Sequence, residues 1–390
     1  MYNVLWLVSW YPSKADAFTG DFIQRHAHAV GAFVNLTVLY IVKDQRIEVG
    51  KFELERSTEK NCTVYKVYYG KTSNNRLIEK ILSFRTYKRL QKQMYAQIEK
   101  EQGKPDLVHV HVAMKAGILA LYLKKKYQLP YVVTEHWSGY FKDSTPNVYT
   151  GNWLLNRLNK KVLQEASILF PVTENLGITI NNNFVSVKYE VIPNVVDTDL
   201  FSYNSFTPER TRFIHPSGMD NNKNPTGILH ACALLKQRGY DFELFMVGKL
   251  DDSLLNLANE LDLYKNNVTF KEAISYTEVA KEMKASSALI LFSNVESLPC
   301  VILEALCCGL PVLSSKVGGI DEVIDIENGV LVEKGNIEQF ANAMSKLIDE
   351  YDMYNRESIT QKASARFNYN VVGKQYLDQY KKVIDTQFIN

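Results

Sequence analysis

Residues 288–319 read ALILFSNVESLPCVILEALCCGLPVLSSKVGG. A short apolar run, ALILFS, stops at Ser293; a polar loop leads to a helix-like stretch from Pro299 to Cys308, and a second apolar run, LPVLSS, follows. Short buried-strand patterns on either side of one helix make a strand–helix–strand unit, and such units build parallel sheets covered on both faces. The same rhythm extends in both directions. Strand-like segments fall at 3–10, 34–42, 62–69, 106–112, 131–136, 168–173 and 189–194, and again at 212–218, 242–248, 267–273, 288–293, 310–315 and 329–334. Helix-like segments include Asp21 to Gly31, Arg76 to Gln102, Lys115 to Tyr127, Pro225 to Arg238 and Leu254 to Leu261. The polar stretch DTDLFSYNSFTPERT, residues 197–211, has no periodicity and reads as a linker between two such domains. Two doubly wound domains facing across a cleft are expected: residues 1–195, residues 196–367, and a helix over residues 368–390 returning towards the first domain. Ligands of such sheets bind beyond the carboxyl ends of the strands.

Composition narrows the function classes. A chain of 390 residues exceeds one ordinary core. Its formal charge of +2 offers no nucleic-acid signature, so no nucleic-acid partner is expected. Five cysteines, two of them adjacent at Cys307 and Cys308, argue against a disulfide framework and for a reducing compartment. No Cys/His cluster has zinc-site spacing, and no apolar run reaches the ~20 residues of a membrane span. The expected location is cytoplasmic.

The opening stretch also places chemistry. Proline suits the first position of a helix, so the helix is expected to begin at Pro299, leaving the amides of Cys300 and Val301 free. Free amides at a helix start, beyond a strand end, bind phosphate readily. Glu304 stands five residues on, about 8 Å along the axis at ~1.5 Å per residue, or one diphosphate-to-ribose step. Buried alone among Val301, Ile302, Leu303 and Ala305, its charge would cost several kcal/mol. A ribose diol would supply the partner. Glu296, before the helix, is placed to meet sugar hydroxyls beyond the diphosphate. The plainer alternative is a solvated helix-face Glu304 and a loop Glu296. Gly318 and Gly319 allow close approach of backbone to a ligand, or form an ordinary tight turn; Asp321 and Glu322 would sit in the first turn of a following helix.

The stretch ESLPCVILEALCCGLPVLSSKVGGIDEVI resembles the donor-site signature of family 4 retaining glycosyltransferases of the GT-B fold. Glu296 and Glu304 match its paired glutamates, with Gly309, Pro311, Gly318, Gly319 and Glu322 in register. VIPNVVDTDLF, with Asn194, is similar to the family's interdomain segment, Val195 replacing a usual Gly. The resemblance implies a nucleotide-diphosphate sugar as donor (UDP on prevalence), a glycan or lipid-linked glycan as acceptor, retention at the anomeric carbon, no metal and no cofactor. It also implies an Arg and a Lys clamping the diphosphate. Here Lys223 matches the Lys, but Gly218 occupies the Arg position and Ser217 the preceding Gly, so one cation is absent; Arg25 and Lys249 are the substitutes considered. Leu298, Pro299, Cys300 and Val301 would line the donor.

On the acceptor side, Gly20 opens the first helix and resembles the family's phosphate- or acceptor-approaching glycine. No GxGxxG is present. His136, ending YVVTEH, resembles the histidine that faces the scissile bond; His109 and His111 share one strand face as packing or as a second contribution to the cleft. Arg76 to Lys100 interleaves Lys80, Arg85, Lys88, Arg89 and Lys92 with Ile81, Leu82, Phe84, Tyr87, Leu90 and Tyr95. That pattern fits a helix packed on a sheet, or a peripheral contact with an anionic membrane face. The expected function is glycosyl transfer in surface-polysaccharide synthesis. A GT-B epimerase or phosphorylase, or a non-catalytic nucleotide-sugar-binding module, are the alternatives.

Overall fold

The computed structural model describes residues 1–206 and 208–387, without the side chains of Arg76, Leu77 and Gln387. Thr207 of the expected linker and residues 388–390 of the expected last helix lie outside the described residues. The first sheet contains β1 (Asn3–Val8), β2 (Asn35–Lys43), β3 (Phe52–Glu59), β4 (Cys62–Tyr69), β5 (Leu107–His111), β6 (Tyr131–Glu135) and β7 (Leu169–Pro171) in the order β3-β4-β2-β1-β5-β6-β7. Its pairings are parallel except for β3 on β4. The second contains β8 (Arg212–Pro216), β9 (Glu243–Val247), β10 (Val268–Lys271), β11 (Ala288–Leu291), β12 (Val312–Ser315) and β13 (Gly329–Val332), ordered β10-β9-β8-β11-β12-β13 and wholly parallel.

Three local expectations fail. FELERSTE was not expected to be a strand; it forms β3, an edge strand charged enough to resist further pairing and largely exposed at Phe52 and Leu54. The segment at 189–194 is irregular, making a single bridge from Tyr189 to Leu169. Asp321 and Glu322 stand in a single 3-10 turn, Ile320–Glu322, and open no α-helix.

The helix Arg76–Gln102 spans its expected length. Tyr87, Leu90, Met94, Tyr95 and Ile98 are buried in the first domain's core, so three of the six apolar residues considered for a membrane face, Tyr87, Leu90 and Tyr95, belong to the core. Ile78 and Ile81 remain outward, near exposed Lys80, Arg85, Lys88 and Arg89. No described helix is long and apolar enough to cross a membrane.

The last helix, Tyr369–Gln387, packs on the helix Asp21–Val30 of the first domain. Its buried hydroxyls reach under the sheet: Tyr380 Oη meets His109 Nδ1 at 2.6 Å and accepts from Trp6 Nε1 at 3.2 Å, and Tyr376 Oη meets Thr134 Oγ1 at 3.1 Å. Burying the rings while pairing the hydroxyls secures this helix to the strands that end at the cleft.

Candidate functional site

Between the two sheets lies a cleft of about 560 Å³, lined by Phe18, Asp21, Phe22, Arg25, His136 and Asn194 from one side and by Ser217, Gly218, Lys223, Lys249, Tyr276, Leu298, Pro299, Cys300, Val301 and Glu304 among others from the second. Three hollows of comparable volume, about 550, 580 and 600 Å³, are lined only by residues from 200 onward and do not bridge the sheets. Most residues singled out from the sequence meet in this cleft. Glu296 reaches it through its partner Lys223; Gly20 lies behind it.

Pro299 is the N-cap, with extended backbone (φ −64°, ψ 124°), and the helix is Cys300–Cys307. The expected start is therefore one residue early, because proline's fixed φ serves equally in the residue before the first turn. The chemical consequence survives: no side chain caps this helix, and the amides of Cys300 and Val301 have no protein acceptor among the described residues.

Glu304 is 2% exposed and has protein partners, contrary to the expectation of a carboxylate waiting for a ligand. Arg25, from the helix Asp21–Val30, approaches Oε1 with Nη2 at 3.4 Å while its Nη1 holds Asp21 at 2.7 Å. Tyr276 donates to the same Oε1 at 3.1 Å, and its ring lies 4.5 Å beneath the Arg25 guanidinium. Both contacts fall on Oε1. Burial lifts the Glu304 carboxyl to about 7; Arg25 opposes the rise and Asp21 adds to it.

Lys223 donates to Glu296 Oε1 at 2.5 Å, and Ser293 donates to the same oxygen at 2.8 Å. The pair joins the loop after β8 to the loop after β11, neighbouring strands of the second sheet. Gly318, at φ +59°, braces this arrangement: a Cβ there would fall 1.9 Å from the Glu296 carbonyl oxygen. Gly318 thus packs against the Glu296 loop. Glu322 accepts from the amides of Glu174 and Asn175, both at 2.8 Å, at the start of the first-domain helix Glu174–Asn183, so it ties the domains together. Ser217 bonds His215 Nε2 at 2.8 Å and the Met219 amide at 3.1 Å, holding the turn that presents Gly218.

His136 stands at the end of β6 within a group of imidazoles. Its Nδ1 lies 3.0 Å from Asn194 Oδ1, which His26 Nε2 also approaches at 3.3 Å, and its Nε2 lies 3.4 Å from His111 Nδ1. An amide oxygen only accepts, so His136 Nδ1 carries the proton and Nε2 is an acceptor. Burial pushes His109, His111 and His136 well below their ordinary range, and His26 to about 3; all four are neutral at pH 7. Asn194 Nδ2 donates to the Leu298 carbonyl at 2.8 Å, linking the histidine group to the helix start in the other domain. Gly20 caps the helix Asp21–Val30 at φ +77°; a Cβ there would strike the Trp10 carbonyl carbon at 2.4 Å, so it seats this helix and with it Arg25.

Sequence reasoning missed Asp21, Tyr276 and Ser293. Tyr276 had a readable signal, since Ser275 and Glu278 form a capping box that fixes a helix start just beyond β10.

The fold is that of GT-B glycosyltransferases. The family model described as Glycosyl transferases group 1 matches residues 199–366, and Glycosyltransferase Family 4 matches residues 54–200. The chain is 22% identical over 410 aligned positions to the putative teichuronic acid biosynthesis glycosyltransferase TuaC of Bacillus subtilis, covering 98% of this chain and 99% of that one. Among solved structures, sucrose-phosphate synthase from Thermosynechococcus elongatus superposes with a TM-score of 0.80 at 17% identity, covering 99% and 100% of the two chains. HepE of Anabaena in complex with UDP gives 0.71 at 16%, covering 98% and 100%. The protein belongs to the family 4 glycosyltransferases.

Proposed function

We propose that the protein transfers a sugar from a nucleotide-diphosphate sugar, UDP-linked by preference, to a glycan or lipid-linked glycan of a surface polysaccharide. The transfer retains anomeric configuration and uses no metal or cofactor. The observation behind this reading is the meeting, at one cleft, of the Lys223–Glu296 pair with the unpaired amides of Cys300 and Val301. Lys223 and those amides would neutralise charge gathering on the departing diphosphate. Glu296 holds sugar hydroxyls and Glu304 the ribose, each through the Oε2 that its protein partners leave open. His136, held by Asn194 at Nδ1 and by His111 at Nε2, lines the cleft wall beside the reacting bond. Ser217, Gly218, Leu298 and Pro299 shape the donor wall. The bond from the anomeric carbon to phosphate breaks, the acceptor oxygen bonds on the same face, and the acceptor proton passes to the leaving phosphate oxygen. The UDP held by HepE and the polysaccharide named for TuaC favour this donor and acceptor class.

The test is transfer and binding with a panel of UDP-, GDP- and ADP-sugars. Lys223→Ala and Glu296→Gln should each lower kcat/KM by roughly 10²–10³-fold with the fold intact; unchanged rates would refute the site. Peripheral membrane contact through the outward side of Arg76–Lys100 belongs to the same reading. Neutralising Lys80, Arg85, Lys88 and Arg89 together should then abolish co-sedimentation with anionic vesicles, and undiminished binding would rule that contact out.

A further inference from the structure

Three cations, Arg25, Lys223 and Lys249, and two carboxylates, Asp21 and Glu304, line the cleft, and a third carboxylate, Glu296, pairs with Lys223 at its edge. Arg25 is engaged by Asp21 and Glu304, and Lys223 by Glu296. Lys249 is exposed, lines the cleft, and makes no ion pair among the described residues. The acidic group nearest in sequence, Asp251, has its carboxylate bonded to the Ser253 amide at 2.8 Å, as the cap of the helix Asp252–Glu260, and feels the Lys249 charge only through space, as a smaller effect than that hydrogen bond.

The position of Lys249 follows from strand register. β8 and β9 are parallel neighbours with Pro216 opposite Val247. The Ser217 amide donates to the Val247 carbonyl at 2.9 Å, and the Ser217 carbonyl abuts Gly248. Gly218 and Lys249 therefore leave adjacent strand ends side by side. At Gly218 there is room that nothing fills: a Cβ there would meet only Asp220 Oδ2 at 3.6 Å, ordinary contact, and its φ is not among the positive ones. One strand end has room for a side chain's Cβ and has none; the next has a lysine.

We infer that Lys249 is the second diphosphate-binding cation of this cleft, complementing Lys223 from the neighbouring strand end. The inference rests on the nucleotide-sugar reading. A departing diphosphate gathers charge that one lysine already shared with Glu296 cannot fully offset, and Lys249, which makes no ion pair among the described residues, reaches it without first breaking one.

Titration calorimetry with UDP and with uridine tests this on the full chain, comparing the wild type, Lys249→Met, and Lys249→Met combined with Gly218→Arg. Lys249→Met should weaken UDP binding ~10-fold or more, the loss of one charge-assisted contact, while leaving uridine affinity unchanged. Adding Gly218→Arg should restore most of the UDP affinity, because the new cation rises from the adjacent strand end. Equal UDP affinity in wild type and Lys249→Met would overturn the inference and leave the donor reading standing. So would a parallel loss for uridine, which marks a structural role. If the wild type binds none of UDP, GDP and ADP, both the reading and the inference fall.

Discussion

Glu304 titrates where its environment can be read out as stability. Its carboxyl is 2% exposed, and burial raises it from an ordinary 4.5 to about 7. Each pKa unit corresponds to about 1.4 kcal/mol, so the ionised, buried form costs about 3 kcal/mol relative to the unfolded chain. The sign follows from proton counting. Between the two pKa values the folded protein holds a proton that the unfolded chain has lost, so stability is fullest below 4.5 and declines as pH rises through 7. Glu304→Gln removes this dependence. Urea denaturation at pH 5 and pH 8 should therefore show the variant gaining on the wild type by roughly 2–3 kcal/mol at the higher pH. Any packing penalty of the amide acts at both pH values and cancels in the difference. Arg25→Met supplies the converse, since removing the cation that opposes the rise should move the wild-type loss to higher pH. A difference between wild type and Glu304→Gln that is the same at pH 5 and pH 8 would refute the reasoning.

Gly318→Ala combines a left-handed backbone with a Cβ placed 1.9 Å from the Glu296 carbonyl oxygen; the conformational cost alone is ~1–2 kcal/mol, and calorimetry should show Tm falling by roughly 4 °C or more. Glu322→Ala strips two amides of the helix Glu174–Asn183 of their acceptor and should cost about 1 kcal/mol in chemical denaturation; no change would mean solvent replaces it at no loss. Tyr380→Phe leaves His109 Nδ1 and Trp6 Nε1 buried without their hydroxyl partner, for a loss of roughly 1–3 kcal/mol by the same method.

The strands were legible wherever Val, Ile and Leu run together, as in VVT at β6 or ALIL at β11, because a strand buried on both faces has no polar face to disguise it. β3 was not legible, because an edge strand that must refuse new partners is written in Glu, Arg and Ser. One side of the cleft could be read from a local spacing: Glu296, Pro299 and Glu304 share one strand–helix connection. Arg25 could be named but not placed. Its tie to Glu304 depends on how one domain lies against the other, and no spacing within either segment encodes that. Glu322 shows the same limit, since its acceptor role exists only because Glu174 and Asn175 arrive from the first domain.

The contacts that cross between the domains near the cleft include Arg25 to Glu304, Asn194 to the Leu298 carbonyl, and Glu322 to the amides of Glu174 and Asn175. They differ in what water can replace. Glu322 binds exposed amides, so separation there exchanges one acceptor for another at small cost. Arg25 and Glu304 are buried, and the desolvation of such a pair largely cancels its attraction. With Glu304 held near 7, part of the population carries a proton on that carboxyl at neutral pH and the attraction weakens further. Asn194 is the exception. Buried and neutral, it spends its oxygen on His136 and His26 and its nitrogen on the carbonyl one residue before Pro299. Moving the domains apart would break the bond to the Leu298 carbonyl while the Asn194 oxygen keeps its two first-domain imidazoles, so the cost falls on one buried amide N–H and one carbonyl, about 1–3 kcal/mol.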